Sequence, residues 1–201
     1  MIPEKLVVGP IQANCYILGC RETHSAIVVD PGAEPKKIKA KLKDLGLALK
    51  FIINTHGHVD HIGADGEFSV PVYIHRLDAN FLKDPNLSLS NLLGLSLRLP
   101  DEVLLLENGQ RLTAGEISLE VIHTPGHTPG GICLRTSEFC LTGDTLFAGG
   151  IGRCDLPYAN EETILTSIRE KLLTLPDDTI IYPGHGAAST IGQEKSENPF
   201  L

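Results

Sequence analysis

The chain is short of positive charge. Lys and Arg number 17 against 25 Asp and Glu, giving a formal net charge of −8 at pH 7. A nucleic-acid footprint usually needs a basic patch, so the composition argues against that class of partner. A small anionic substrate stays open, because bound metal cations can dominate a local field. Cysteine is sparse and odd in number: Cys15, Cys20, Cys133, Cys140 and Cys154, with no C-x-x-C pair. That argues against a disulfide framework or a zinc finger and suits unpaired thiols in a reducing cytosol. No stretch approaches the ~18 apolar residues of a membrane helix. The first residues are broken by Pro3, Glu4, Lys5, Pro10, Gln12 and Asn14, unlike a signal peptide. No Pro/Ser-rich linker or low-complexity tract divides the chain. The expectation is a soluble, cytoplasmic single domain spanning 1–201, with no membrane or nucleic-acid partner.

What the sequence does have is short β-rich runs. Residues 5–9, 14–18, 25–30, 50–54, 70–74, 103–106, 118–122, 131–135, 139–141 and 179–182 read as strands. Helical spacing predicts a helix over 34–45 ending at Gly46, a short one over 77–82, and the longest over 160–175 with Asn160 as N-cap. Residues 84–100 have no clear period and read as irregular. Strands with helices following at both ends predict an α/β sandwich.

One pattern recurs where the strands stop. Phe51-Ile52-Ile53-Asn54 leads into Thr55-His56-Gly57-His58, and Leu119-Glu120-Val121-Ile122 into His123-Thr124-Pro125-Gly126-His127. Phe139-Cys140-Leu141 leads into Thr142-Gly143-Asp144, and Ile180-Ile181-Tyr182 into Pro183-Gly184-His185. Loops at strand ends share a rim and commonly hold the chemistry. The densest cluster is His56, His58, Asp60 and His61. Its spacing is that of a turn, not of a helix with ligands at i and i+4. Imidazole nitrogen and carboxylate oxygen suit Zn²⁺, Mn²⁺ or Fe²⁺. Crowding four such groups without a cation is costly. A metal needs further ligands, and His127, Asp144 and His185 are the candidates from the other turns; Asp144, with two oxygens, suits a bridging position.

These stretches resemble the metallo-β-lactamase superfamily, and within it the glyoxalase II-like (hydroxyacylglutathione hydrolase-like) branch. The resemblance is carried by THGHVDHIG (55–63), HTPGHTPG (123–130), TGDTLF (142–147) and YPGHG (182–186). It implies a four-layer αβ/βα sandwich with metals at one rim. It implies that His56, His58 and His127 hold one ion, that Asp60, His61 and His185 hold a second, and that Asp144 bridges. Two divalent ions follow, zinc foremost, with iron or manganese as alternatives. The resemblance argues against β-lactam hydrolysis, because true lactamases usually carry Cys or Ser where Asp144 stands. It also argues against the nucleic-acid-processing branches, which add a large second domain. Full glyoxalase II enzymes continue into a helical domain that helps bind glutathione. This sequence instead looks like the short variety, which leaves glutathione recognition open.

The activity expected on this basis is hydrolysis of a small-molecule thioester such as S-lactoylglutathione by a metal-bridging hydroxide that Asp60 orients. A thiolate departs without a strong acid, since its ordinary pKa is ~8.5. Arg153 and Tyr158 are the candidate substrate contacts, Arg153 through a bidentate grip on a carboxylate. His24, His75 and His123 read as ordinary polar histidines, and Cys154 as inert. Two other readings remain: a persulfide dioxygenase with one iron, from the same superfamily, and a metal-binding module without catalysis.

Overall fold

The structure is a computed structural model that describes residues 3–201. Short, largely buried apolar runs build the first sheet. Its order is β1 (Glu4–Val8), β2 (Ala13–Gly19), β3 (Ser25–Val29), β4 (Ala48–Ile53), β5 (Val72–His75) and β6 (Val103–Leu106). The first three strands pair antiparallel, and β3 to β6 run parallel. Helix α1 (Pro35–Asp44) makes the crossover from β3 to β4, and the one-turn α2 (Val59–Ile62) follows β4. It starts on Pro35, whose fixed φ suits a first helical position, and stops at Gly46 with φ 64°.

The second sheet comes from β7 (Arg111–Ala114), β8 (Ile117–His123), β9 (Ile132–Arg135), β10 (Phe139–Gly143), β13 (Ile180–Pro183) and β14 (Ser189–Thr190). A small hairpin, β11 (Leu146–Phe147) with β12 (Gly150–Ile151), follows β10. Only β10 and β13 pair parallel within this sheet.

Because side chains alternate faces along a strand, each sheet buries two faces. Leu18, Ile27, Val29 and Ile53 of the first sheet meet Leu119, Val121, Ile132 and Leu134 of the second. Ile17, Val28 and Ile52 point the other way, onto Ile38 and Leu42 of α1. Cys133, Cys140 and Ile181 back onto Ile164, Ile168 and Leu172. The layers therefore run helix, sheet, sheet, helix, the four-layer αβ/βα sandwich expected. Each fully buried Leu or Ile contributes roughly 1.5–3 kcal/mol by leaving water.

Two expected helices need correction, and the tail adds elements to the fold. The long helix over 160–175 is α3 (Glu161–Ser167), capped by Asn160 Oδ1 accepting from Thr163 N at 2.8 Å, and then a wider turn over Ile168–Leu172. There the Leu173 N–H reaches back five residues to Ile168 O at 2.9 Å. The helix over 77–82 is a single 3-10 turn, Ala79–Leu82. Beyond residue 182, where the sequence pattern predicts no element, the tail forms β14 and α4 (Ile191–Glu197). Thr190 caps α4 and Glu194 is buried within it, so the tail packs through side chains that a polar sequence hides.

Candidate metal centre

Parallel pairing places the loops. Gly143 sits opposite Pro183, and the Gly184 N–H donates to Gly143 O at 2.8 Å, so Asp144 and His185 leave the sheet side by side. Val29 sits opposite Ile53 in the other sheet, which brings Asp30 beside the loop 54–58. The sheets are tied across the rim. Asn14 of β2 donates to Pro183 O at 2.9 Å and to Gly186 O at 3.1 Å, and Tyr16 donates to Pro183 O at 2.6 Å. Gly184 is required for the approach: a Cβ there would lie 2.1 Å from Asp144 Oδ1 and 2.8 Å from His61 Cε1.

All seven predicted ligands meet. His56, His58 and His127 form one group whose donor atoms lie within 4.8 Å of one another, Asp60, His61 and His185 form a second, and His56, His61 and Asp144 link them. His58 Nδ1 faces His127 Nε2 at 3.0 Å, and His61 Nε2 faces His185 Nε2 at 3.3 Å. Asp144 stands between: Oδ1 is 3.4 Å from His61 Nε2, and Oδ2 is 3.6 Å from His127 Nε2 and 3.7 Å from His185 Nε2. Asp60 Oδ2 is 3.2 Å from His185 Nε2.

Donor accounting tests whether a cation fits. The Thr55 hydroxyl donates to Asp30 Oδ2 at 2.7 Å, so the His56 ring must donate to Thr55 Oγ1 through Nδ1 at 3.2 Å. His56 Nε2 is then a bare lone pair, buried, with no hydrogen-bond partner. His58 Nε2 and Asp144 Oδ1 are buried without a partner too. His127 Nδ1 donates to Arg153 O at 2.9 Å, and His61 Nδ1 donates to Asp30 Oδ2 at 3.0 Å, leaving both Nε2 atoms aimed inward. One ring nitrogen fixed from outside and the other left free inside is the arrangement of metal-binding histidines. Orphaned lone pairs of this kind cost free energy unless a cation satisfies them. The donor set fits divalent metals.

The electrostatics divide. Burial, reinforced by His61 and His127, holds His56 well below the ordinary imidazole pKa. Burial and His127 push His58 down to about 3. Burial opposes charge on His61 as well, but Asp144, Asp60 and Asp30 outweigh it and raise the group to about 10. His185 moves up for the same reason, through Asp60 and Asp144 against burial. Asp60, although buried, is held well below the usual carboxylate range by His61 and His185.

Two supporting residues were missed. Asp30 accepts from Thr55 N and Thr55 Oγ1, both at 2.7 Å, and from His61. Its signal was available: an apolar strand ending in Asp30 before Pro31-Gly32 is a fifth copy of the recurring pattern, and Asp30 holds a left-handed φ of 54°. Asp78 had no such signal, lying inside a presumed helix. The substrate candidates lie outside the cluster. The Arg153 guanidinium is exposed and paired with Asp155 through two bonds of 2.9 and 2.7 Å, while its carbonyl holds His127. Tyr158 is exposed with a φ of 67°. His75 and His123 stack on each other, centroids 4.1 Å apart at 13°, and join no ligand group. His24 lies in the β2–β3 turn, its carbonyl accepting from Ala48 N at 2.7 Å. All five cysteines are unpaired, four of them buried and Cys154 partly so.

Residues 8–185 match the family described as the metallo-beta-lactamase superfamily. A probable metallo-hydrolase, YqgX of Bacillus subtilis, is 42% identical over 98% of this chain and 96% of its own. The hydroxyacylglutathione hydrolase GloC of Haemophilus influenzae is 40% identical over 98% of this chain and 97% of its own. Among solved structures, the BLEG-1 B3 metallo-beta-lactamase superposes with a TM-score of 0.92 at 38% identity, covering 100% of this chain and 99% of that one. TTHA1623 in a di-iron-bound form gives 0.88 at 36%, covering 98% and 100%. ETHE1 from Myxococcus xanthus gives 0.84 at 27%, covering 99% and 84%. Among the described residues, no helix is long and apolar enough to cross a membrane.

Proposed function

The chain belongs to the metallo-β-lactamase superfamily, and from that premise we propose that it is a metal-dependent hydrolase of a small-molecule thioester such as S-lactoylglutathione. The observation that carries the hydrolytic reading is the continuous run of three ligand groups, with buried lone pairs at His56 Nε2 and His58 Nε2 that have no hydrogen-bond partner. The likeness to a hydroxyacylglutathione hydrolase along the whole chain supports the thioester. His56, His58 and His127 would hold one ion, Asp60, His61 and His185 a second, and Asp144 would reach both. Zinc suits this nitrogen-rich set, with iron next, given the di-iron form of TTHA1623. When bound, divalent cations acidify water and polarise a carbonyl oxygen.

The protein's own contribution is orientation and charge. Asp60 is ionised across the neutral range, so its carboxylate accepts a hydrogen bond and can aim a water at an acyl carbon. Thr55, Asp30 and the Arg153 carbonyl fix the ring planes of His56, His61 and His127, so these residues need not reorganise as the reaction proceeds. A thiolate leaves at neutral pH without taking a proton. That suits a rim whose charged groups are committed to one another. Arg153, whose carbonyl bonds His127, and the exposed Tyr158 further along the same loop are the substrate contacts we assign. Five unpaired cysteines support a reducing, cytoplasmic setting.

The test is steady-state hydrolysis of S-lactoylglutathione by metal-stripped and zinc- or iron-reloaded protein. Turnover that chelation removes and metal restores is expected. Reloaded protein that cleaves no thioester would sink the reading. Two further arms belong in the assay. The likeness to ETHE1 favours testing oxygen consumption with glutathione persulfide, and the likeness to BLEG-1 favours testing a β-lactam.

A further inference from the structure

Asp78 touches no candidate ligand, yet it joins the two loops that carry one ligand group. It follows β5 in a turn closed by Asp78 N donating to His75 O at 2.9 Å, and its side chain is fully buried. Its Oδ2 accepts from Gly57 N at 3.0 Å and from the Thr128 hydroxyl at 2.7 Å, and its Oδ1 accepts from Gly130 N at 2.6 Å. Gly57 lies between His56 and His58, and Thr128 directly follows His127. One carboxylate therefore ties the loop that presents His56 and His58, which belongs to the first sheet, to the loop that presents His127, which belongs to the second. The contact is built on both sides. A Cβ on Gly130 would lie 2.6 Å from both Asp78 N and Oδ1, so only glycine allows this approach. The 3-10 turn that follows Asp78 brings Phe81 edge-on to the His58 ring, centroids 5.9 Å apart. The Asp78 side chain makes no bond to the His185 loop, which Asn14 ties down, and its bond to the first loop falls at Gly57, ahead of Asp60 and of His61, whose ring Asp30 holds.

We propose that Asp78 is a positioning residue for the three-histidine half of the centre, setting the separation of His127 from His56 and His58 and so the affinity of that half alone for its ion. The proposal rests on the ligand assignment above. The isolated halves are compared by metal titration: His185→Ala leaves the three-histidine group intact, and His127→Ala leaves the Asp60–His61–His185 group intact. Zinc is titrated into metal-stripped protein against a chromophoric chelator. Adding Asp78→Ala should weaken zinc binding about 10–100-fold in the His185→Ala chain, the usual cost of losing an outer hydrogen-bonding partner, and leave the His127→Ala chain unchanged. Thr128→Val removes one of the three donors at nearly constant volume and should produce a smaller loss, again only in the His185→Ala chain. It keeps the test alive if Asp78→Ala does not fold. Equal losses in both chains would make Asp78 a general stabiliser and overturn the proposal, as would no loss in either. An unsubstituted protein that binds no zinc or iron at all would instead fault the ligand assignment.

Discussion

The two halves of the centre use the same residue types in opposite environments. His56, His58 and His127 are 1%, 3% and 4% exposed, and His56 and His58 are held unprotonated by burial. Across Asp144, His185 keeps 27% of its side chain exposed, and the carboxylates around the pair raise His61 to about 10 and move His185 upward as well. The first half is dry, and His56 and His58 offer lone pairs there. The second is wetter and already balanced by Asp60, Asp30 and Asp144. Burial therefore selects what a histidine can do: without a carboxylate it becomes a ligand in waiting, and with one it becomes part of an ion pair that a metal must displace.

The comparison breaks most visibly when a ligand is removed from each side. His127→Ala leaves a closed gap between His58 and Asp144, which no protein group fills. We expect thioester turnover to fall by more than ~100-fold, beyond the cost of an outer partner. His185→Ala opens a position that water can reach and occupy, so the fall should be smaller, nearer ~10-fold. Initial rates on metal-reloaded proteins check this. Equal losses would mean that exposure does not distinguish the halves.

Asp30 sharpens the contrast from the other side. It holds His61 directly and His56 through Thr55, and in Asp30→Ala the Thr55 N–H and the His61 ring lose a buried acceptor. A stability loss of about 3–5 kcal/mol is expected, because a charged partner is removed from a buried pair. Urea unfolding of the metal-stripped protein measures it. Gly184→Ala should act on the shared carboxylate: its Cβ would overlap Asp144 Oδ1 and push it out of line with both halves. Overpacking of this kind costs roughly 1–3 kcal/mol. A thermal melt that matches the parent would mean that the loop shifts freely and that Asp144 is not held by it.

Much of this was legible in the sequence because the proposed ligands are side chains of rare types at strand ends. Short apolar runs bounded by turn residues gave most strands of both sheets, and the turns Thr55–His58, Gly126–His127, Gly143–Asp144 and Gly184–His185 each carry their own glycine. What was not legible depends on tertiary bonds. Asp78 reads like any surface aspartate until Thr128 and Gly130, fifty residues on, supply its donors. The strand β7 and the hairpin β11–β12 are too short for a pattern, and β14 exists because Ile181 pairs with Ser189. The sequence points to the Arg153 guanidinium, whereas its backbone carbonyl is what touches His127.

The smallest effect concerns the stacked pair at the same rim, His75 and His123, which serves as a control on the comparison: imidazoles at strand ends with no carboxylate between them. Burial, together with His123 and then Arg76, lowers His75 to about 4, and burial lowers His123 as well despite its bond to Pro129 O. The sign follows from linkage. The unfolded chain protonates His75 near its ordinary value of 6.5, while the folded chain resists until about pH 4. Between those limits the unfolded state binds more protons, so stability falls as pH drops through that window and is unaffected above it. His75→Phe keeps the stack without the titration. Its urea midpoint should decline less than the parent's between pH 7 and pH 4.5, by roughly 1–2 kcal/mol of stability once screening by nearby water is allowed for. Parallel curves for the two proteins would show that the folded chain tolerates charge on His75. The division drawn above between dry neutral histidines and carboxylate-held ones would then fail at its simplest instance.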